Sequence, residues 1–207
     1  MKVLEIDCSV REAGSVSRQL TAEFIARLKG RYPDLDHHTR DVGLNPPQHP
    51  TAAFMWANYT PPNERTAEME SVLAASDELI EELAAADGIV LGCPIYNFTV
   101  PSSFKAYVDS IVRTGRTFAF DPQTFTFSPL LSGQKAVVIS PSAGNYAPGT
   151  PAAASDFCTP YVRSILAFIG ITDVEIINVP DQFMPEEIRL KSMDAARNRL
   201  LEVAATW

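Results

Sequence analysis

The sequence predicts an α/β protein, a doubly wound five-stranded parallel sheet with helices on both faces. Three observations lead there. Short apolar runs alternate with stretches of helical periodicity along the whole chain, in the order βαβαβαβαβα. Runs such as "GIVLG" (88–92) and "KAVVIS" (135–140) are apolar through their centres rather than alternating, which marks strands covered on both faces. No repeat, linker or shift of composition interrupts the 207 residues, so a single domain over 1–207 is expected. A chain of this length, 46% hydrophobic and 20% charged, can bury a sizeable core.

The elements follow in order. "KVLEID" (2–7) is a β-rich run leading into the polar loop "CSVREAGSVS". Leu20, Phe24 and Leu28 then fall at i, i+4 and i+8, one face of a helix, with Gly30 as its expected stop. "LDHHTRDV" is a weaker strand. Residues 66–86, rich in Ala, Glu and Leu, carry an apolar stripe of Met69, Val72, Leu73, Leu79, Ile80 and Leu83, with Ser76 and Asp77 as a possible break. "GIVLGCP" is the next strand, and "KAYVDSIVRT" (105–114) is an amphipathic helix. After "KAVVIS", the stretch "TPYVRSILAFIG" opens with Thr159 as N-cap and Pro160 in the first helical position, and closes at Gly170. "VEIINV" is the fifth strand and 185–205 the last helix.

Two segments stand outside the alternation. "NPPQHPTAAFMWANYTPP" (45–62) reads as a Pro-rich loop carrying Phe54, Met55, Trp56 and Tyr59. "RTFAFDPQTFTFS" (116–128) places Phe118, Phe120, Phe125 and Phe127 at two-residue intervals around Asp121-Pro122, with the rings on one side of two short extended arms. Either these loops tuck their rings onto the core, or they wall an active site or a dimer interface. Seven large rings in two loops are more than tucking needs.

The totals exclude several classes. A net charge of −8 with no cluster of Lys and Arg gives no footprint for nucleic acid. Cys8, Cys93 and Cys158 are odd in number and widely spaced, so neither a disulfide framework nor a metal site is expected, and each reads as a small buried apolar residue. No signal segment and no membrane-crossing run is apparent, so an intracellular, cytoplasmic protein is expected. His37, His38 and His49 lie outside the loops discussed next and read as solvated or structural.

In a doubly wound sheet, ligands bind beyond the carboxyl ends of the strands at the topological switch point. That singles out "CSVREAGSVS", "CPIYNFTVPSS" and "SPSAGNYAPG". The first lacks G-x-G-x-x-G and lacks a Gly-Lys-Ser/Thr ending, so it is neither a dinucleotide fingerprint nor a P-loop. It offers Ser9, Ser15 and Ser17 with free N–H groups at a helix N-terminus, which suits a terminal phosphate without a lysine. Alone it would pass for an ordinary serine-rich turn. In the second, Tyr96 and Phe98 offer flat faces, and Asn97 can donate and accept at the edge of a heterocycle. Together the loops describe a site for a phosphorylated planar heterocycle such as FMN.

Ser9 with "SVS" (15–17), "SDELIEELAAAD" (76–87), "PIYNF" (94–98), "GQKAVVIS" (133–140) and "TPYVRSILAFIGI" (159–171) together make the chain resemble the FMN-dependent NADH-azoreductase family, flavodoxin-like proteins that reduce quinones and azo compounds. The resemblance runs nearly the whole length, and the Y-N-F segment is its most specific part. It implies that Ser9, Ser15, Val16 and Ser17 bind the FMN phosphate, and that Ile95, Tyr96, Asn97 and Phe98 contact the isoalloxazine ring. Where the family commonly has a Ser-Arg-Gly-Gly-like stretch followed by His, this chain has Pro141, Ser142, Ala143, Gly144, Asn145 and Tyr146. Pro141, Ser142, Ala143 and Gly144 are expected against the ring, with Gly144 leaving room for close approach and backbone N–H groups stabilising negative charge. Tyr146 is a candidate contact for the acceptor, and the loss of Arg and His places the difference from the family in acceptor preference.

The resemblance also implies a two-electron ping-pong reaction in which NADH or NADPH and a quinone or azo acceptor take turns over the ring. Arg11, Arg18, Arg113 and Arg116 are candidates to reach a 2′-phosphate on the donor. No essential acid or base is nominated. The family's dimeric site implies a homodimer in which 50–60 or 118–127 cover the flavin. The rival readings are a flavodoxin-type one-electron carrier, which is usually smaller and lacks such aromatic loops, and a flavodoxin-like regulator without cofactor.

Overall fold

The structure is a computed structural model covering Met1–Trp207. Five strands form one parallel sheet: β1 (Lys2–Asp7), β2 (Asp36–Asp41), β3 (Gly88–Gly92), β6 (Lys135–Pro141) and β7 (Asp173–Val179), in the spatial order β2-β1-β3-β6-β7. Two further strands, β4 (Phe118–Asp121) and β5 (Thr126–Pro129), pair as a separate antiparallel hairpin. The helices are α1 (Val16–Arg31), α2 (Ala52–Tyr59), α3 (Ala67–Ala85), α4 (Ser102–Ile111), α5 (Thr159–Ile169) and α6 (Glu186–Thr206). This is the flavodoxin-like strand order, whose switch point lies between β1 and β3.

Period-two side-chain alternation in strands buried on both sides builds two cores. Leu4, Ile6, Ile89, Leu91 and Val138 face the layer of α3, α4 and α5, where Leu83, Phe104, Tyr107 and Val162 meet them. Val3, Val90, Val137 and Ile139 face α1 and α6, against Leu20, Phe24, Leu28, Met193 and Trp207. Removing one such side chain, as in Leu91→Ala, costs about 2–5 kcal/mol.

Several local expectations change. Gly30 does not end α1; the helix runs through it to Arg31, and Pro33 ends it by disfavouring the helical region at Tyr32. Ser76 and Asp77 do not break α3. They stay helical because both are used across the fold, accepting from Arg113 Nη1 at 2.9 and 2.7 Å. Within the Pro-rich 45–62 segment, the stretch between Pro50 and Pro61 forms α2, capped by Thr51 Oγ1 accepting from Phe54 N–H at 3.2 Å. Thr159 is the first residue of α5 rather than its cap. The cap oxygen belongs to Asp156, whose Oδ1 accepts from the N–H groups of Cys158 and Thr159, both at 2.9 Å. Gly170 does end α5, in the left-handed region at φ +111°. Helix α4 lies at 102–111, a few residues before the expected 105–114. No helix is long and apolar enough to cross a membrane.

Candidate functional site

The carboxyl ends of β1, β3 and β6, adjacent in the sheet, bring the three singled-out loops to one edge. A cavity of about 170 Å³ opens there, lined by Ser9, Arg11, Ser15, Val16 and Ser17 from the first loop, by Pro94, Ile95 and Tyr96 from the second, and by Pro141, Ser142 and Ala143 from the third.

The first loop meets the start of α1. Ser15 is the N-cap, its Oγ accepting from Arg18 N–H at 3.4 Å and lying 3.2 Å from Ser17 Oγ. The N–H groups of Val16 and Ser17 have no partner in the chain, as befits the first turn of a helix. Ser9 Oγ accepts from Arg11 N–H at 3.2 Å and sits 3.4 Å from Tyr96 Oη, which links the first loop to the second. All three serines are buried. Clustered hydroxyls, two free N–H groups and the positive end of a 16-residue helix suit an oxyanion such as a phosphate.

The second loop contains a tight reversal. Tyr96 N–H donates to Thr99 O at 2.9 Å and Thr99 N–H donates back to Tyr96 O at 3.1 Å. The two central residues, Asn97 (φ 48°) and Phe98 (φ 73°), are both left-handed, the signature of a type I′ turn. Asn tolerates that region, but a phenylalanine there is strained. The Phe98 carbonyl is held by Phe157 N–H at 2.9 Å, and its ring meets Tyr146 edge-on at 6.2 Å between centroids. The ring is left 52% exposed.

In the third loop, Ser142 N–H is spent on Val179 O at 3.1 Å, so of the 142–144 donors only those of Ala143 and Gly144 remain free. A Cβ on Gly144 would meet nothing within 4 Å; the position is open rather than tightly packed.

Asn97, Phe98, Gly144 and Tyr146 do not line the phosphate-side cavity. Asn97 and Tyr96 instead line a second cavity of about 530 Å³ together with His49, Lys105 and Tyr161. His49 is therefore not remote from the site loops, as its place in the sequence suggested. His37 and His38 sit on β2, their Nε2 atoms 2.8 Å from Glu5 Oε2 and 3.1 Å from Glu82 Oε1. Of the four arginines weighed for a donor 2′-phosphate, Arg11 lines the cavity, Arg18 is spent on Asp7, Asp41 and two backbone carbonyls, Arg113 is buried in its contacts with α3, and Arg116 is drawn to Asp77.

Two site residues were not legible in the sequence. Gln182 and Phe183, in the loop after β7, line the first cavity. Their N–H groups donate to Ser142 O (3.0 Å) and Ala143 O (3.2 Å), tying the fourth loop to the third. The available signal was "PDQFMP" following the fifth strand, a polar turn carrying a large ring, here 84% exposed.

Behind the first loop, burial first and the nearby Glu5 second push the Asp7 carboxyl up to about 6, against the opposing pull of Arg18. The three cysteines are buried and unbonded, with Cys93 and Cys158 sulfurs 4.0 Å apart. Contact with Cys93, then burial, raises the Cys158 thiol, so it is inert rather than nucleophilic.

A doubly wound sheet of this order with an oxyanion cradle at its switch point defines a flavodoxin-like protein. Comparison with known proteins agrees: residues 1–204 match the flavodoxin-like fold family, and the chain belongs to it. It is 40% identical over 205 residues to a protein of Nostoc sp. named FMN-dependent NADH:quinone oxidoreductase, covering 99% of both chains. A Nostoc punctiforme protein of the same name is 40% identical over 207 residues, covering 100% of both. Among solved structures, an azoreductase from Bacillus anthracis superposes with a TM-score of 0.90 at 24% identity over 100% of both chains, a likeness of fold.

Proposed function

We propose that this chain is an FMN-dependent NAD(P)H oxidoreductase that delivers two electrons to quinones or azo compounds. The observation that carries the reading is the first loop: three buried serines and two unpartnered N–H groups at the start of α1, beside Tyr96. Its support from kin is the full-length 40% identity to proteins named FMN-dependent NADH:quinone oxidoreductase.

Bound FMN supplies the redox chemistry, accepting hydride and passing on electron pairs. Ser9, Ser15, Val16 and Ser17 bind its phosphate through hydroxyls and N–H groups. Ile95, Tyr96, Asn97 and Phe98 position the ring from one side. Pro141, Ser142, Ala143 and Gly144 border its polar edge, where the free N–H groups of Ala143 and Gly144 favour developing negative charge. Tyr146, against Phe98, contacts the acceptor. The chain contributes no acid or base.

The assembly is a homodimer. Trp56 and Tyr59 on α2 are each 71% exposed, and Phe125 and Phe127 on the hairpin are 78% and 57% exposed, an aromatic surface of the kind interfaces use. A cytoplasmic location suits three free thiols with two sulfurs 4.0 Å apart and unbonded.

The test is direct. The purified protein takes up FMN and turns yellow, NADH bleaches it in a single rapid phase in stopped flow, and a quinone restores the colour. No uptake of FMN refutes the flavoprotein reading, and a loaded protein that NADH does not bleach is a carrier instead. A monomer by light scattering with full turnover refutes the dimer.

A further inference from the structure

The phosphate loop is held from behind by an unusually complete set of contacts. Arg18, in the first turn of α1, does not line the cavity. Its guanidinium has five N–H groups, and all are used. Nη1 donates to Asp7 Oδ2 (3.2 Å) and Asp41 Oδ2 (2.7 Å), Nη2 donates to Asp41 Oδ1 (2.8 Å) and Ser9 O (2.6 Å), and Nε donates to Arg11 O (3.1 Å). Asp41 also accepts Leu44 N–H at 2.9 Å, so the turn after β2 is pinned to the same carboxylate. Gly43 in that turn presses on the loop, since a Cβ there would stand 2.2 Å from Ser9 O.

We propose that Arg18 and Gly43 form a positioning clamp that turns the Ser9 and Arg11 carbonyls away from the cavity, and so makes the loop after β1 selective for a phosphorylated flavin. This rests on the functional reading above and adds to it the device that sets phosphate affinity. Carbonyl oxygens facing a phosphate repel it. With two of them turned back onto Arg18, the face left to the ligand is made of hydroxyls and N–H groups. Asp7 and Asp41 flank the Arg18 charge, so the residue acts through geometry rather than as a counter-ion. A lysine there keeps the charge but lacks the planar fork that reaches both carboxylates and both carbonyls.

The experiment titrates flavin-free wild type, Arg18→Lys and Gly43→Ala with FMN and separately with riboflavin, following flavin fluorescence, with circular dichroism to check the fold. Arg18→Lys is expected to weaken FMN about tenfold or more while riboflavin, which lacks the phosphate, stays within about twofold. Gly43→Ala, whose added methyl would stand 2.2 Å from Ser9 O and 2.6 Å from Ser9 C, is expected to do the same by displacing that carbonyl, and Arg18→Gln, titrated alongside, decides the matter if either variant fails to fold. An equal loss for both flavins means general loosening and overturns the proposal. So does unchanged FMN affinity in Arg18→Lys. Wild-type protein that binds neither flavin overturns the parent reading and this one with it.

Discussion

Replacing Phe98 separates strain from contact. The residue sits at φ 73° beside Asn97 at φ 48°, in a turn that favours Asn-Gly. A non-glycine residue in the left-handed region costs about 1–2 kcal/mol. Phe98 is 52% exposed and makes one edge-on aromatic contact at 6.2 Å, worth about 0.5–1.5 kcal/mol. Phe98→Ala loses the contact and keeps the strain, so it destabilises by roughly the contact's worth. Phe98→Gly loses the same contact but releases the strain, so it recovers about 1 kcal/mol relative to Ala. At an ordinary position the order is opposite, with Gly less stable than Ala by about 0.5–1 kcal/mol. The ranking is read from thermal melting of the flavin-free protein, with the Gly variant expected to melt about 2–4 °C above the Ala variant. If Ala equals or exceeds Gly, the turn is not strained and Phe98 needs no functional excuse. Weaker FMN binding by the Gly variant than by the Ala variant, both of which lack the ring, would show that the strain is retained for the cofactor.

Other outcomes follow from the same geometry. The Asp7 carboxyl titrates at about 6 in the folded chain against 3.8 unfolded, so the native state binds more protons between those values. Its stabilising share is present below about pH 3.8 and lost as pH rises through 6, a swing of about 3 kcal/mol at 1.36 per unit. Asp7→Asn, which cannot ionise, should therefore gain on wild type in urea midpoint between pH 4 and pH 7, and a gap independent of pH would disprove the shift. Ser15→Ala removes the N-cap of α1 and a hydroxyl from the cradle, so it should cost about 1 kcal/mol of stability and about tenfold in FMN affinity, measured by melting and by fluorescence titration. Unchanged FMN affinity there would remove Ser15 from the phosphate site.

What the sequence made legible was whatever depends on periodicity. Buried strands such as Gly88–Gly92 announce themselves by continuous apolar character, and the loops that follow them are then placed by topology. What escaped depends on partners distant in sequence. Helix α2 was hidden because the prolines around it imitate a loop, although they only bound it. The Asp156 cap lies three residues before the helix that Thr159 and Pro160 advertise. Gln182 and Phe183 reach the site only because β7 lies next to β6, which no local pattern announces. The left-handed pair at 97–98 was opaque because Asn-Phe lacks the glycine that normally signals such a turn.

One physical device recurs on the two sides of the site. In the first loop, Arg18 draws the carbonyls of Ser9 and Arg11 backwards. In the third, the N–H groups of Asp181, Gln182 and Phe183 donate to the carbonyls of Gly144, Ser142 and Ala143. In each case carbonyl acceptors are satisfied within the chain while N–H donors stay free, at Val16 and Ser17 in the first loop and at Ala143 and Gly144 in the third. A chain with net charge −8 cannot attract an anionic cofactor by its overall field. Local orientation of backbone dipoles must do it instead. Under the proposed function, the two free N–H groups of the third loop are what meets negative charge at the ring edge.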